Sequence, residues 1–124
     1  MRFWPALALD VICVLVFAIV GRRSHAEASD LVGVFRTAWP FLAGAAVGVL
    51  AGRAWRRPAS HWAAAGVWVG AVAVGMTLRV LSGGTTQWSF VFVTAIVLGI
   101  LFFGWRAALR LIQHARAAPL SKTP

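Results

Sequence analysis

Four apolar runs separated by short polar segments make up most of the chain. The first run, at about residues 3–20, contains one acidic residue, Asp10. A helix of about 20 apolar residues spans roughly 30 Å, which is the thickness of the hydrocarbon core of a bilayer. Three further runs follow, at about residues 36–52, 61–81 and 88–109. The pattern therefore predicts an all-α fold, a polytopic membrane bundle of four transmembrane helices.

We expect residues 1–118 to form one domain. Only SGGTTQ separates the third and fourth runs, so these two helices must form an antiparallel hairpin. Beyond the fourth run, the chain up to residue 118 can continue as a basic helix along the membrane surface, with one polar side made of Arg106, Arg110, Gln113 and His114. Residues 119–124 are expected to be a flexible tail.

Small residues recur at intervals of four in two of the predicted helices. Gly44, Gly48 and Gly52 share one face of the second helix, and Gly66 and Gly70 share one face of the third. Such stripes let two helix backbones approach closely in a membrane. The partner backbone belongs either to the same bundle or to a second copy in a homodimer, and the sequence leaves both interpretations open.

Composition and charge support a membrane location. The 124 residues are 60% hydrophobic and 12% charged, and the formal net charge is +9. The basic residues lie at the ends of the apolar runs instead of forming one stripe, which favours contact with anionic lipid head groups over nucleic-acid binding. With both termini in the cytoplasm, eight basic residues fall inside and four outside, so we expect a multi-pass protein of the cell membrane in that orientation.

Asp10 is the main candidate for intramembrane chemistry, because an acid within hydrocarbon is costly and is usually paired or functional. It lies about 10 Å along the helix from Phe3. Arg106 and Arg53 reach the same depth, whereas Arg79 belongs near the opposite end. A paired aspartate that fixes helix register and a proton or cation relay are both compatible with this position.

A second polar group, the outer basic cluster, follows the first helix and consists of Arg22, Arg23 and His25. It could bind an anion or be a solvated interfacial cluster. The histidines His25, His61 and His114 are predicted at different ends or in the tail, and Cys13 is the single cysteine. We therefore expect no metal site, no cofactor and no enzymatic activity.

Several short motifs resemble a family of small prokaryotic membrane proteins of unknown function, DUF3054. The resemblance rests on Asp10 and on the segments at residues 21–25 (GRRSH), 39–41 (WPF), 75–79 (GMTLR) and 104–106 (GWR), and it covers about residues 7–107. It implies a bundle of four membrane helices and supplies no activity.

Two functional hypotheses follow. The first is an accessory or interaction protein that contacts a membrane-protein partner through its glycine stripes and basic cytoplasmic surface. The alternative is a minimal proton- or cation-coupled transporter that works as a homodimer through Asp10.

Overall fold

The computed structural model describes residues 2–24, 30–84 and 87–117. All regular structure in these residues is helical, and the elements are α1 (Phe3–Ser24), α2 (Leu31–Gly52), α3 (His61–Val69), a π-helical segment (Gly70–Val74), α4 (Gly75–Leu81) and α5 (Trp88–Ala117). The elements α3, π segment and α4 follow one another without a break and form the third span. Four spans are long and apolar enough to cross a membrane, which confirms the predicted all-helical membrane bundle.

Two helix ends differ from the predicted bounds. The first helix continues to Ser24, and the second begins at Leu31 instead of residue 36. The fourth span continues to Ala117 as one helix, which agrees with the expected helical extension. Polar side chains do not interrupt backbone hydrogen bonding, so α1 extends past its apolar run. The five residues added at the start of α2, LVGVF, carry no polar side chain and lengthen the run itself. The predicted tail, residues 119–124, lies outside the described residues.

The spans run up and down, so successive helices are antiparallel. One end of the bundle contains the first residues of α1 and α3 and the last residues of α2 and α5. We call it the amino-terminal end. At the opposite end, the Arg22 Nη1 atom donates a 3.0 Å hydrogen bond to Thr37 Oγ1 and connects α1 to α2.

The glycine stripes of α2 and of the third span face each other within the chain. A Cβ atom built on Gly44 would lie 2.5 Å from the carbonyl oxygen of Gly70, and one built on Gly70 would lie 2.6 Å from Gly48 Cα. Near the amino-terminal end, a Cβ atom on Gly52 would lie 3.5 Å from Gly66 Cα. The two backbones are therefore in direct contact, and both stripes are used for packing inside one copy of the protein.

Aromatic and aliphatic side chains fill the centre of the bundle. The rings of Phe17 and Phe41 meet edge to face with centroids 5.3 Å apart, and Phe90 lies 6.3 Å from each. Farther along α5, the indole Nε1 of Trp68 donates a 2.8 Å hydrogen bond to the Ala95 carbonyl. These contacts bring α1, α2, the third span and α5 around one core.

Candidate functional site

A buried ion pair joins α1 to α5 near the amino-terminal end. Arg106 Nη1 lies 2.9 Å from Asp10 Oδ1, and Arg106 Nη2 lies 2.8 Å from Asp10 Oδ2. Asp10 is 3% exposed and Arg106 is 2% exposed. Two parallel N–H···O bonds between a guanidinium and a carboxylate are the strongest geometry available to this pair.

Further hydrogen bonds occupy both partners. Trp105 Nε1 donates to Asp10 Oδ1 at 2.9 Å. The remaining contacts of Arg106 are to backbone carbonyls: its Nε donates to Pro58 at 2.9 Å, and its Nη1 donates to Phe102 at 3.1 Å. Asp10 thus accepts three hydrogen bonds and Arg106 donates four. These hydrogen bonds, together with the charge attraction, offset the cost of removing both groups from water.

The sequence of each element explains how the site forms. The side chain of Asp10 points inward because its neighbours one turn away on the same helix face, Ala6 and Val14, are also buried. Arg106 follows the buried Phe102 by four residues and so continues the inward face of α5. Its guanidinium carbon also lies 4.3 Å from the centroid of the Trp105 ring, a cation–π contact that partly replaces lost hydration.

The structure separates the other candidate charges from Asp10. Arg53 is exposed at the end of α2, where its left-handed backbone conformation (φ 50°) ends the helix. Arg79 lies on α4, with its guanidinium carbon 4.4 Å from the Phe90 ring centroid. Of the three arginines considered with Asp10, the structure brings Arg106 to it.

The outer basic cluster is only partly described. Arg22 is half-buried and bonded to Thr37, whereas Arg23 is exposed. His25 lies outside the described residues. A joint anion site of the three is therefore still an expectation from the sequence.

A family model for proteins of unknown function matches residues 7–109 of the chain. The chain belongs to the DUF3054 family. No curated protein and no solved structure matches it. The match includes both partners of the ion pair, and DUF3054 membership brings no activity with it.

Two residues of the site could not be recognised from the sequence. The Pro58 carbonyl belongs to the backbone, and no side-chain pattern identifies a carbonyl as the partner of a distant arginine. Trp105 lies at the end of an apolar run, a position typical of a tryptophan at the membrane interface, yet its indole N–H points to Asp10. Its position next to Arg106 was the only available signal.

The arrangement is suited to holding structure together and offers little for ligand chemistry. Its polar atoms are directed at one another, and they connect α1, α5 and the loop between α2 and α3. Among residues 2–24, 30–84 and 87–117, no group of three histidine, cysteine or acidic side chains is placed to bind a metal ion.

Proposed function

We propose that this protein is an accessory or interaction protein of the cell membrane, and that the end of α5 is its contact element. A 30-residue helix is about 45 Å long, whereas the hydrocarbon core is about 30 Å thick. A helix without proline or a π-bulge does not bend sharply. The last turns of α5 therefore extend beyond the bundle, and residues 111–117 are exposed along their whole length.

This projecting segment, residues 108–117, is amphipathic. Leu111 and Ile112 are 69% and 51% exposed, and with Ala108 and Ala115 they share the i, i+3, i+4, i+7 face of a helix. The opposite face carries Arg110, Gln113 and His114. An exposed apolar stripe of this kind fits an apolar groove on another membrane protein. This stripe is the observation that carries the proposal.

The glycine stripes are no longer needed for an interaction with a partner, because they pack against each other within the chain. The compensated state of Asp10 also argues against the alternative of a transporter. A coupling carboxylate must exchange its proton or cation with water, and the three donors on Asp10 compete with any such ligand. The proposal assigns no catalytic step to the chain.

We place both termini in the cytoplasm. Arg106 contributes little to the charge bias because Asp10 balances it. Among the described residues, the remaining basic side chains are six at the amino-terminal end and four at the other. An excess of basic residues in short segments favours the cytoplasmic side.

Native mass spectrometry of the protein extracted gently from its own membrane at natural abundance tests the accessory role. We expect a second, different protein at fixed stoichiometry. The double variant Leu111→Ser/Ile112→Ser should weaken that complex by tenfold or more, since burying one such side chain contributes about 1.5–3 kcal/mol.

The matched control is Gln113→Ser/His114→Ser on the opposite face of the same helix, which should leave the complex intact. Equal loss in both double variants would contradict a contact made through the apolar stripe. A wild-type homodimer without any other protein would contradict the accessory role and would favour the alternative of a transporter.

A further inference from the structure

The loop between α2 and α3 forms an open cleft of about 520 Å³ at the amino-terminal end of the bundle. Three basic side chains, one hydroxyl and one indole line it: Arg53, Arg56, Arg57, Ser60 and Trp62. None of the described residues that line it is acidic. The cleft is therefore a concentrated positive site.

The loop that carries these arginines is fixed by its own hydrogen bonds. Arg56 N–H donates to the Arg53 carbonyl at 3.1 Å, and Ser60 N–H donates to the Arg57 carbonyl at 3.0 Å. Ser60 Oγ also donates to the Arg57 carbonyl and accepts from Ala63 N–H, which caps α3. The positions from which the arginines project are thus set before any ligand binds.

The buried Asp10–Arg106 ion pair also helps to fix the conformation of this loop. Ala54 and Pro58 are the buried residues of the loop, and Arg106 Nε donates to the Pro58 carbonyl at 2.9 Å. Asp10 in turn holds the guanidinium of Arg106 in place. The intramembrane pair therefore connects the basic loop to the bundle and acts as its positioning element.

No carboxylate in the described part of the chain neutralises the three arginines. Arg53, Arg56 and Arg57 are exposed, and none of them makes an ion pair with the described part of the chain. The whole sequence contains only three acidic residues. Asp10 is occupied by Arg106, Asp30 lies at the far end of α2, and Glu27 is outside the described residues.

The location favours a lipid as the source of the counter-charge. The cleft lies between the last residue of one candidate span and the first residues of the next, which is the level of the head groups. Trp55 and Trp62 are 46% and 75% exposed there, and tryptophan is enriched at this boundary. The first turn of α3 adds the positive end of a helix dipole.

We propose that this cleft binds the phosphate of one anionic phospholipid head group, with Arg53, Arg56 and Arg57 as its charge partners and the indole of Trp62 against the glycerol region. Arginine suits this task because its planar guanidinium can pair with two phosphate oxygens at once. The inference requires only that the chain lies in a bilayer, and it is independent of the partner proposed for α5.

The test is native mass spectrometry of the purified full chain in a mild detergent, titrated with phosphatidylglycerol or phosphatidylcholine of equal chain length. We expect one phosphatidylglycerol molecule to bind with an affinity at least about tenfold higher than that of phosphatidylcholine. Each basic residue near an anionic surface contributes about a fivefold gain in affinity, so Arg53→Gln/Arg56→Gln/Arg57→Gln should weaken binding by about 100-fold. The single variant Arg56→Gln should weaken it by about fivefold.

The control variant Arg110→Gln/Arg116→Gln/Lys122→Gln removes the same charge from α5 and the tail, and it should leave the affinity almost unchanged. Equal affinity for the two lipids, or an equal loss in both triple variants, would overturn the discrete site. Displacement of the lipid by excess inorganic phosphate alone would identify a free-anion site and would also overturn the proposal. If the loop triple variant fails to fold, Arg56→Gln alone decides between these outcomes.

Discussion

The Asp10–Arg106 pair shows how single residues stabilise this bundle. Moving two charges out of water costs several kcal/mol per ion, and Coulomb attraction repays this only with good geometry and extra hydrogen bonds. Both conditions are met, because the pair is bidentate, Asp10 accepts a further bond from Trp105, and Arg106 donates to the carbonyls of Pro58 and Phe102. Replacing one partner should therefore cost more than replacing both.

Replacing Asp10 alone tests this directly. Asp10→Asn leaves the charge of Arg106 buried without a counter-ion, so we expect a loss of about 3–5 kcal/mol in the free energy of unfolding in mild detergent. Adding Arg106→Gln should recover part of this loss. Asp30→Asn changes an exposed acid that makes no side-chain cap, and it is the matched control with an expected change below about 0.5 kcal/mol. Additive effects of the two site substitutions would contradict the coupling.

A second prediction concerns the indole of Trp105. Trp105→Phe keeps an aromatic ring near Arg106 but removes the donor to Asp10, and hydrogen bonds to charged groups contribute about 1.5–3 kcal/mol. We expect a loss of this size in unfolding measurements. Trp88→Phe is the control, since Trp88 is 79% exposed and its indole makes no hydrogen bond to the described residues. Equal effects of the two changes would show that the indole bond contributes nothing.

The sequence predicts the side-chain contacts of the site less completely than it predicts the helices. Helical rise alone gives the depth of Asp10, and depth selects Arg106 and Arg53 over Arg79. Choosing between the first two required the rotation of each helix about its axis, which depends on packing between spans. The left-handed conformation of Arg53 and the carbonyl of Pro58 have no signature in the residue types.

At the scale of elements, backbone contact between α2 and the third span organises the bundle. Spacings of four residues predict the stripes, because four residues bring a helix back to nearly the same face. The hydropathy pattern gives no sign of the π segment at Gly70–Val74, since its i→i+5 hydrogen bonds change the backbone pairing and leave the order of apolar residues unchanged. It lies where Gly44 meets Gly70 and Gly75, so a close backbone approach and the helix irregularity coincide.

Adding one methyl group at this contact should separate the helices. A Cβ atom on Gly44 would lie 2.5 Å from the Gly70 oxygen and 2.7 Å from the Gly75 nitrogen, and backbone atoms cannot move aside cheaply. We expect Gly44→Ala to lower the free energy of unfolding by about 1–3 kcal/mol. Gly104→Ala is the control, because nothing lies within 4 Å of the added atom and alanine favours the helix by up to about 1 kcal/mol. A Gly44→Ala protein as stable as the control would refute the close contact.

At the scale of the whole molecule, the two ends of the bundle are chemically different. The amino-terminal end carries the arginine-lined cleft, the buried ion pair beneath it and the projecting end of α5. The opposite end carries the Arg22–Thr37 bond and the tight turn at Gly83, where φ is 94°. Both proposed binding surfaces lie at one end, so the orientation in the membrane decides which compartment supplies their ligands.

Labelling with a maleimide that does not cross membranes tests the orientation. The single cysteine, Cys13, is buried and can be replaced by alanine to give a background without thiols. His114→Cys near the exposed end of α5 and Gln87→Cys at the exposed residue just before α5 place one thiol near each end of the same helix. With both termini in the cytoplasm, intact cells label only the Gln87→Cys protein, and permeabilised cells label both. The reverse pattern in intact cells would mean that both termini, the basic cleft and the apolar stripe lie outside the cytoplasm. This result would contradict the predicted orientation, which rests on the excess of basic residues expected on the cytoplasmic side.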